Sequence, residues 1–388
     1  MLNLAIIASH PNLATGYANI ASSLSNEMCK YYNVFYLGFQ NYNKDSIDRH
    51  IDDRIQVVDL YALDKESLLG FGDKAILPTL ESNKIDIVIV YNDHGVCSSV
   101  LKIIKSYKCK KVCYIDLVYE YQYLSNMEYI RDNADLLVAF TDSWKNHLED
   151  FYEIPSSKLV KMYHGINTIE DTEFTRKDLH FKEDDFIFLS LNRNDSRKNL
   201  DLVIESFLHF YRILKKKSGV YLFINCNLQA GINIFEFVKV QCKILNLDIN
   251  EVQDHIRTPV ASSRVTDNYI HSLYKMCDAG ISITSGEGFG LTVIEHLNYD
   301  KPVICSRLKV FEELIGTDYP YYIDPITYGY SYEQLGGVKA YFKREDVVGM
   351  MLKIYLEWPD INYSEEFREK FNWETIGEQF KTDLESIF

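Results

Sequence analysis

A chain of 388 residues is too long for one ordinary domain and long enough for two, each able to close over its own apolar core. With 47% hydrophobic and 25% charged residues it has the make-up of a globular protein, which excludes disordered and collagen-like classes. The net charge of −15 argues against a nucleic-acid partner, because phosphate backbones are held by clustered Lys and Arg.

Short β-branched runs alternate with helical patterns along the chain, the signature of parallel sheets covered by helices on both faces. The first strand is expected at 3–8. It is preceded by no basic leader, and nowhere do 18 apolar residues follow one another, so the expectation is a cytoplasmic protein with no membrane span. The loop that follows, Ser9-His10-Pro11-Asn12-Leu13-Ala14-Thr15-Gly16-Tyr17, holds a single glycine, Gly16, where a dinucleotide fingerprint needs three. Further strands are expected at 33–37, 85–91, 111–115, 136–140 and 159–163. His94, in Asn92-Asp93-His94-Gly95, is a candidate for a cleft between domains, with a structural role as the alternative. The run Lys102, Lys105, Lys108, Lys110 and Lys111 reads as a solvated helix end and loop rather than a lipid or anion site. Eight scattered cysteines form no paired clusters, so neither zinc nor a disulfide framework is expected. The 29 tyrosines are read chiefly as core filling.

A polar, acid-rich stretch at 167–185 interrupts the pattern and is the expected linker, with domains at 1–170 and 171–371. Strands resume at 186–191, 220–224, 279–283 and 302–305. A helix with one apolar face is expected at 200–214, another at 267–276, and an amphipathic segment at 372–388 that returns to the first domain. The segment Ser285-Gly286-Glu287-Gly288-Phe289-Gly290-Leu291-Thr292-Val293-Ile294-Glu295 follows a strand and opens a helix. Its three glycines bare backbone N–H groups at a helix start, a place for a phosphate or oxyanion. Glu287 in the loop and Glu295 on the helix supply carboxylates for sugar or ribose hydroxyls. A helix-start anion site with two such acids is what a sugar nucleotide requires.

At this segment the chain resembles glycosyltransferase family 4, retaining enzymes of the GT-B fold, from Ser190 to Val303 and in its overall plan. The resemblance implies two doubly wound Rossmann-like α/β domains facing across a cleft. It implies that Glu287 and the backbone of Gly288, Phe289 and Gly290 hold the transferred sugar and Glu295 the donor ribose, with Leu291 also among the donor-binding residues. In the loop Asn192-Arg193-Asn194-Asp195-Ser196-Arg197-Lys198-Asn199 it assigns Arg193 and Lys198 to the diphosphate, with Arg197 a helper. It places the base near 225–227 and near Arg264, Val265 and Thr266, and sets Gly16 across the cleft from the pyrophosphate. The sequon Asn194-Asp195-Ser196 falls in this loop, where a glycan would block the site, which again suits the cytosol.

Where the family often carries a histidine near the sugar, this chain has Asp116, in Tyr114-Ile115-Asp116-Leu117, which makes Asp116 a catalytic candidate with Arg193, Lys198 and Glu287. Thr292 and His296 also replace a more usual proline and alanine, and His164 is expected to be structural. No Asp-x-Asp occurs, so neither a metal nor another cofactor is expected. The implied partners are a nucleotide sugar, GDP-mannose or a UDP-hexose, and a glycan or other hydroxyl acceptor, with a homodimer among the assemblies the sequence allows. A nucleotide-sugar-binding protein without activity and an epimerase are the alternatives.

Overall fold

The computed structural model describes residues 1–42, 49–169, 172–214, 219–259, 265–333, 335–359, 361–363 and 365–388. The expected domain boundary at 170 and 171, and Arg264, lie outside the described residues.

Seven parallel strands form the first sheet: β1 (Asn3–Ser9), β2 (Asn33–Phe39), β3 (Gln56–Asp59), β4 (Ile87–Asp93), β5 (Lys110–Asp116), β6 (Leu136–Ala139) and β7 (Leu159–Lys161), in the order β3-β2-β1-β4-β5-β6-β7. The second contains β8 (Phe186–Leu191), β9 (Val220–Asn225), β10 (Ile256–Arg257), β11 (Ala279–Ser282), β12 (Val303–Ser306) and β13 (Tyr322–Ile323), in the order β10-β9-β8-β11-β12-β13. Strands covered on both faces become continuous apolar runs, and Leu4 to Ala8 and Ile87 to Val90 are fully buried. This is the expected α/β architecture of two Rossmann-like units.

In both sheets the strand order reverses beside the first strand, between β1 and β4 and between β8 and β11. Ligands of such sheets bind at the carboxyl ends of the strands flanking this reversal. The loops leaving β1, β8 and β11 are the ones that carry Gly16, the basic cluster and the glycine turn. Helix starts beside them are capped by short oxygens: Thr15 accepts from Ala18 N, Asp93 from Val96 N and Thr266 from Tyr269 N.

The helix Leu200–Ile213 forms on the expected apolar face, burying Val203, Ile204, Phe207 and Leu208. The helix Trp373–Glu385 returns to the first sheet's side and packs on the helix Gly16–Met28, with Gly377 against Glu27. Strands β3, β10 and β13 were not foreseen. All three lie at sheet edges, β10 and β13 with two residues each, too short to show a period. An antiparallel hairpin, β14 (Thr327–Ser331) with β15 (Gly337–Tyr341), stands apart from both sheets and was also missed.

Candidate active site

The loops after β8 and β11 are stitched together at the reversal point. Ser285 N donates to Arg197 O at 2.8 Å, and Asn199 Nδ2 donates to Ile283 O at 3.1 Å and to Ser285 Oγ at 2.7 Å. Asp195 begins a single 3₁₀ turn over Ser196–Lys198 by accepting from Lys198 N, and Asn199 ends it in the left-handed region at φ 45°. That turn aims Arg197 and Lys198 inward.

Both cations meet Glu287. Lys198 Nζ lies 2.6 Å from Glu287 Oε2, and Arg197 donates to the same oxygen at 3.0 Å and to Gly286 O at 2.7 Å. Burial alone would push the Glu287 carboxyl up, but Lys198 and Arg197 outweigh it and hold it at about 2. Glu287 is therefore ionised at neutral pH. Arg193 takes a different place: its side chain is 67% exposed and faces Asp195 at 3.5 Å. The inward partner of Lys198 is Arg197, given only a helper's role by the sequence.

The facing domain closes on the glycine turn. Asp116, at the end of β5, lies so near Gly288 that a Cβ there would fall 1.9 Å from its Oδ1. Burial raises the Asp116 pKa, opposed by the Tyr17 hydroxyl, which donates to Oδ2 at 2.6 Å, and by the charge of Arg197. Trp144 Nε1 donates to Gly288 O at 2.9 Å. Gly16 lies against Leu291, whose Cδ1 would be 3.3 Å from an added Cβ. Arg49 ties the β1 loop to the other domain, donating to Pro11 O and Leu13 O while its fork grips Asp267 at 2.8 and 2.9 Å. Tyr17 sits next to Gly16, and that adjacency was its only sequence signal; Trp144 and Arg49 had none. Phe289 turns away from the turn to pack on His164, at 4.5 Å between centroids. Gly290 holds φ 86° at the start of the helix Leu291–Asn298, a conformation that side chains disfavour.

Glu295 projects from that helix into the second domain's interior, where the Tyr274 hydroxyl donates to it. Val265 and Thr266 belong to another element, the start of the helix Asp267–Met276, where the Thr266 hydroxyl donates to Glu173. Burial pushes the Glu295 carboxyl up to about 7, with the Tyr274 hydrogen bond opposing. A raised acid contributes its full stability below the unfolded value of 4.5 and loses it as the pH climbs through about 7. A shift of this size corresponds to about 3 kcal/mol. In urea melts at pH 4.5 and 7.5 the wild type should lose about that much more stability than Glu295→Gln, which has no proton to release.

His94 is fully buried, and burial lowers its pKa to about 4. His164 is buried as expected, its Nδ1 2.6 Å from the Tyr114 hydroxyl, and burial lowers it to about 3. His296 fills the space beneath Gly280. Among the described residues no three His, Cys, Asp or Glu side chains are grouped to hold a metal, and no helix is long and apolar enough to cross a membrane.

Residues 171–325 match the family described as glycosyl transferases group 1. Over 184 residues the chain is 26% identical to the O-antigen biosynthesis glycosyltransferase WclY of Escherichia coli, covering 46% of this chain and 45% of that protein. The chain thus spans about half the length of this curated relative. Among solved structures, sucrose-phosphate synthase from Thermosynechococcus elongatus superposes with a TM-score of 0.74 at 15% identity, over 100% of this chain and 99% of the other. A glycosyltransferase from Rickettsia africae gives 0.70 at 17%, over 100% and 98%. Anabaena HepE in complex with UDP and glucose gives 0.70 at 12%, over 100% of both chains. Residues 171–325 are thus similar to the glycosyl transferases group 1, and the two Rossmann-like domains share the GT-B fold of these solved structures.

Proposed function

We propose that the chain is a glycosyltransferase that moves a hexose from a nucleoside-diphosphate sugar to a hydroxyl of a glycan or similar acceptor, with retention of configuration. One observation carries the reading: Lys198, Arg197 and Glu287 of one domain and Asp116 of the other converge on the turn at Gly288. The helix start behind Gly290 and the two cations offer charge to a diphosphate. Arg193, largely exposed beside Asp195, adds a third. Glu287 orients the sugar hydroxyls, and Glu295, braced by Tyr274, offers an oxygen to the ribose. Val265 and Thr266 stand toward the base.

In the reaction the acceptor oxygen bonds to the anomeric carbon as the bond from that carbon to the diphosphate breaks on the same face. The acceptor proton passes to the departing phosphate oxygen, whose growing charge Lys198 and the arginines neutralise. Asp116 stands where the sugar meets the acceptor, and its proton affinity, raised by burial, lets it hold a sugar or acceptor hydroxyl. Closure of the domains keeps water away. The donor is a substrate, and no cofactor or metal enters this scheme.

Calorimetric titration with GDP-mannose, UDP-glucose and other UDP-hexoses, followed by assay for released nucleoside diphosphate, tests the reading. One donor is expected to bind and to turn over slowly into water. Binding with neither transfer nor hydrolysis would leave a binding protein, and a changed sugar still attached to the nucleotide would indicate an epimerase.

A further inference from the structure

We propose that the hairpin β14–β15 and the loop after β5 form a tyrosine platform that holds an oligosaccharide acceptor beyond its reacting sugar; this rests on the transferase reading above. The hairpin belongs to neither sheet, yet it touches the head of the glycine turn, the basic loop and the loop after β5. Ala340 N donates to Ser285 O at 2.9 Å, at the head of the glycine turn. Lys339 Nζ reaches Ser196 O at 3.3 Å in the basic loop, and Ser196 Oγ also bonds Glu333. On its other side Val338 N donates to Glu120 O at 2.9 Å, and Tyr123 N donates to Leu335 O at 3.0 Å, joining it to the first domain. The hairpin is a rim of the cleft built by both domains.

Its outward side chains are aromatic. Alternation along β14 sends Tyr328 and Tyr330 to the same face, and Tyr332 follows them at 84% exposure. Tyr121 and Tyr123 are exposed opposite, and the two groups interlock: the Tyr330 hydroxyl donates to Tyr121 O and the Tyr123 hydroxyl to Tyr332 O, both at 3.4 Å. Tyr330 and Tyr332 lie edge to face at 5.6 Å, and Tyr121 is braced by His147 at 5.0 Å and Phe151 at 4.8 Å. Here tyrosine does more than fill a core.

The chemistry selects a neutral polyhydroxylated ligand. A pyranose ring has an apolar C–H face that stacks on a flat aromatic ring and hydroxyls that bond to its phenol, and tyrosine offers both at small entropic cost. The neighbouring charges are spent locally: Lys309 pairs with Glu120 at 2.7 Å, and Lys339 and Glu333 are held by Ser196. An anionic membrane would ask for a basic patch instead.

The test uses the full chain and the triple variant Tyr328→Ser, Tyr330→Ser, Tyr332→Ser, whose changes lie on an exposed face. Both are applied to an array of neutral gluco-, manno- and galacto-oligosaccharides of increasing length, and both are assayed for donor hydrolysis. The wild type should retain longer oligosaccharides over monosaccharides, and the variant should bind them roughly tenfold or more weakly while releasing nucleoside diphosphate at the wild-type rate. Equal retention by both proteins overturns the platform. So does a wild type that hydrolyses donor but binds only phosphatidylglycerol vesicles or no glycan, and in that case the transferase reading stands. A chain that neither hydrolyses donor nor binds glycan takes both readings down.

Discussion

Lys198→Met is expected to lower donor turnover by about 100- to 1,000-fold, the usual cost of removing a fixed charge from a site where charge develops. The side chain is suited to this use because it is almost fully buried and anchored 2.6 Å from Glu287, so it needs no reorganisation as the diphosphate departs. Methionine keeps its length and apolar stem and removes only the ammonium. Glu287 keeps one partner, Arg197, at 3.0 Å, so the fold has no stranded carboxylate to accommodate. Glu287→Ala is a harsher change, since it leaves two buried cations without their acid, and breaking a buried pair in this way costs about 3–5 kcal/mol. Comparing thermal melts with turnover therefore separates the chemistry from folding: Lys198→Met should melt near the wild type. Turnover that survives Lys198→Met undiminished removes the assigned diphosphate site.

The central strands, the restart of the pattern after 185 and the glycine turn were legible because each is a local matter. Apolar runs such as Ile87 to Val90 and the helix face of Val203, Ile204 and Phe207 declare themselves over a few residues. The short edge strands did not, since two residues carry no period and their pairing is set by the neighbouring strand. The roles of Arg193 and Arg197 show a second limit. Spacing put both in one loop, but which of them points inward depends on the turn capped by Asp195 and ended by Asn199 in the left-handed region. Contacts between domains were least legible. Trp144 with Gly288 and Arg49 with Asp267 join residues 144 and 218 positions apart, and only the docking of two finished domains brings them together, while Tyr17 with Asp116 joins residues 99 apart through the closing of the first sheet.

That docking gives the second large effect. Gly288→Ala should reduce donor turnover by about 100-fold, the scale of loss that follows when reacting groups are displaced by about 1 Å. An alanine Cβ at this position would fall 1.9 Å from Asp116 Oδ1, and the Gly288 carbonyl is held from the same domain by Trp144 Nε1 at 2.9 Å. Turning the Asp116 carboxyl aside would break its 2.6 Å bond from Tyr17, and Leu117 O stands 3.3 Å from the added Cβ on the same chain. The relief available is for the domains to part, so small-angle scattering should report a larger radius of gyration for the variant. Each domain's own core is untouched, and thermal stability should change far less than activity. Gly349→Ala supplies the control: it lies in the helix Arg344–Glu357, nothing stands within 4 Å of the added Cβ, and helix propensity favours alanine by about 1 kcal/mol. If Gly288→Ala keeps both the wild-type radius and wild-type turnover, the approach of Asp116 to the glycine turn is not part of the working geometry, and the reacting sugar must be held without the first domain.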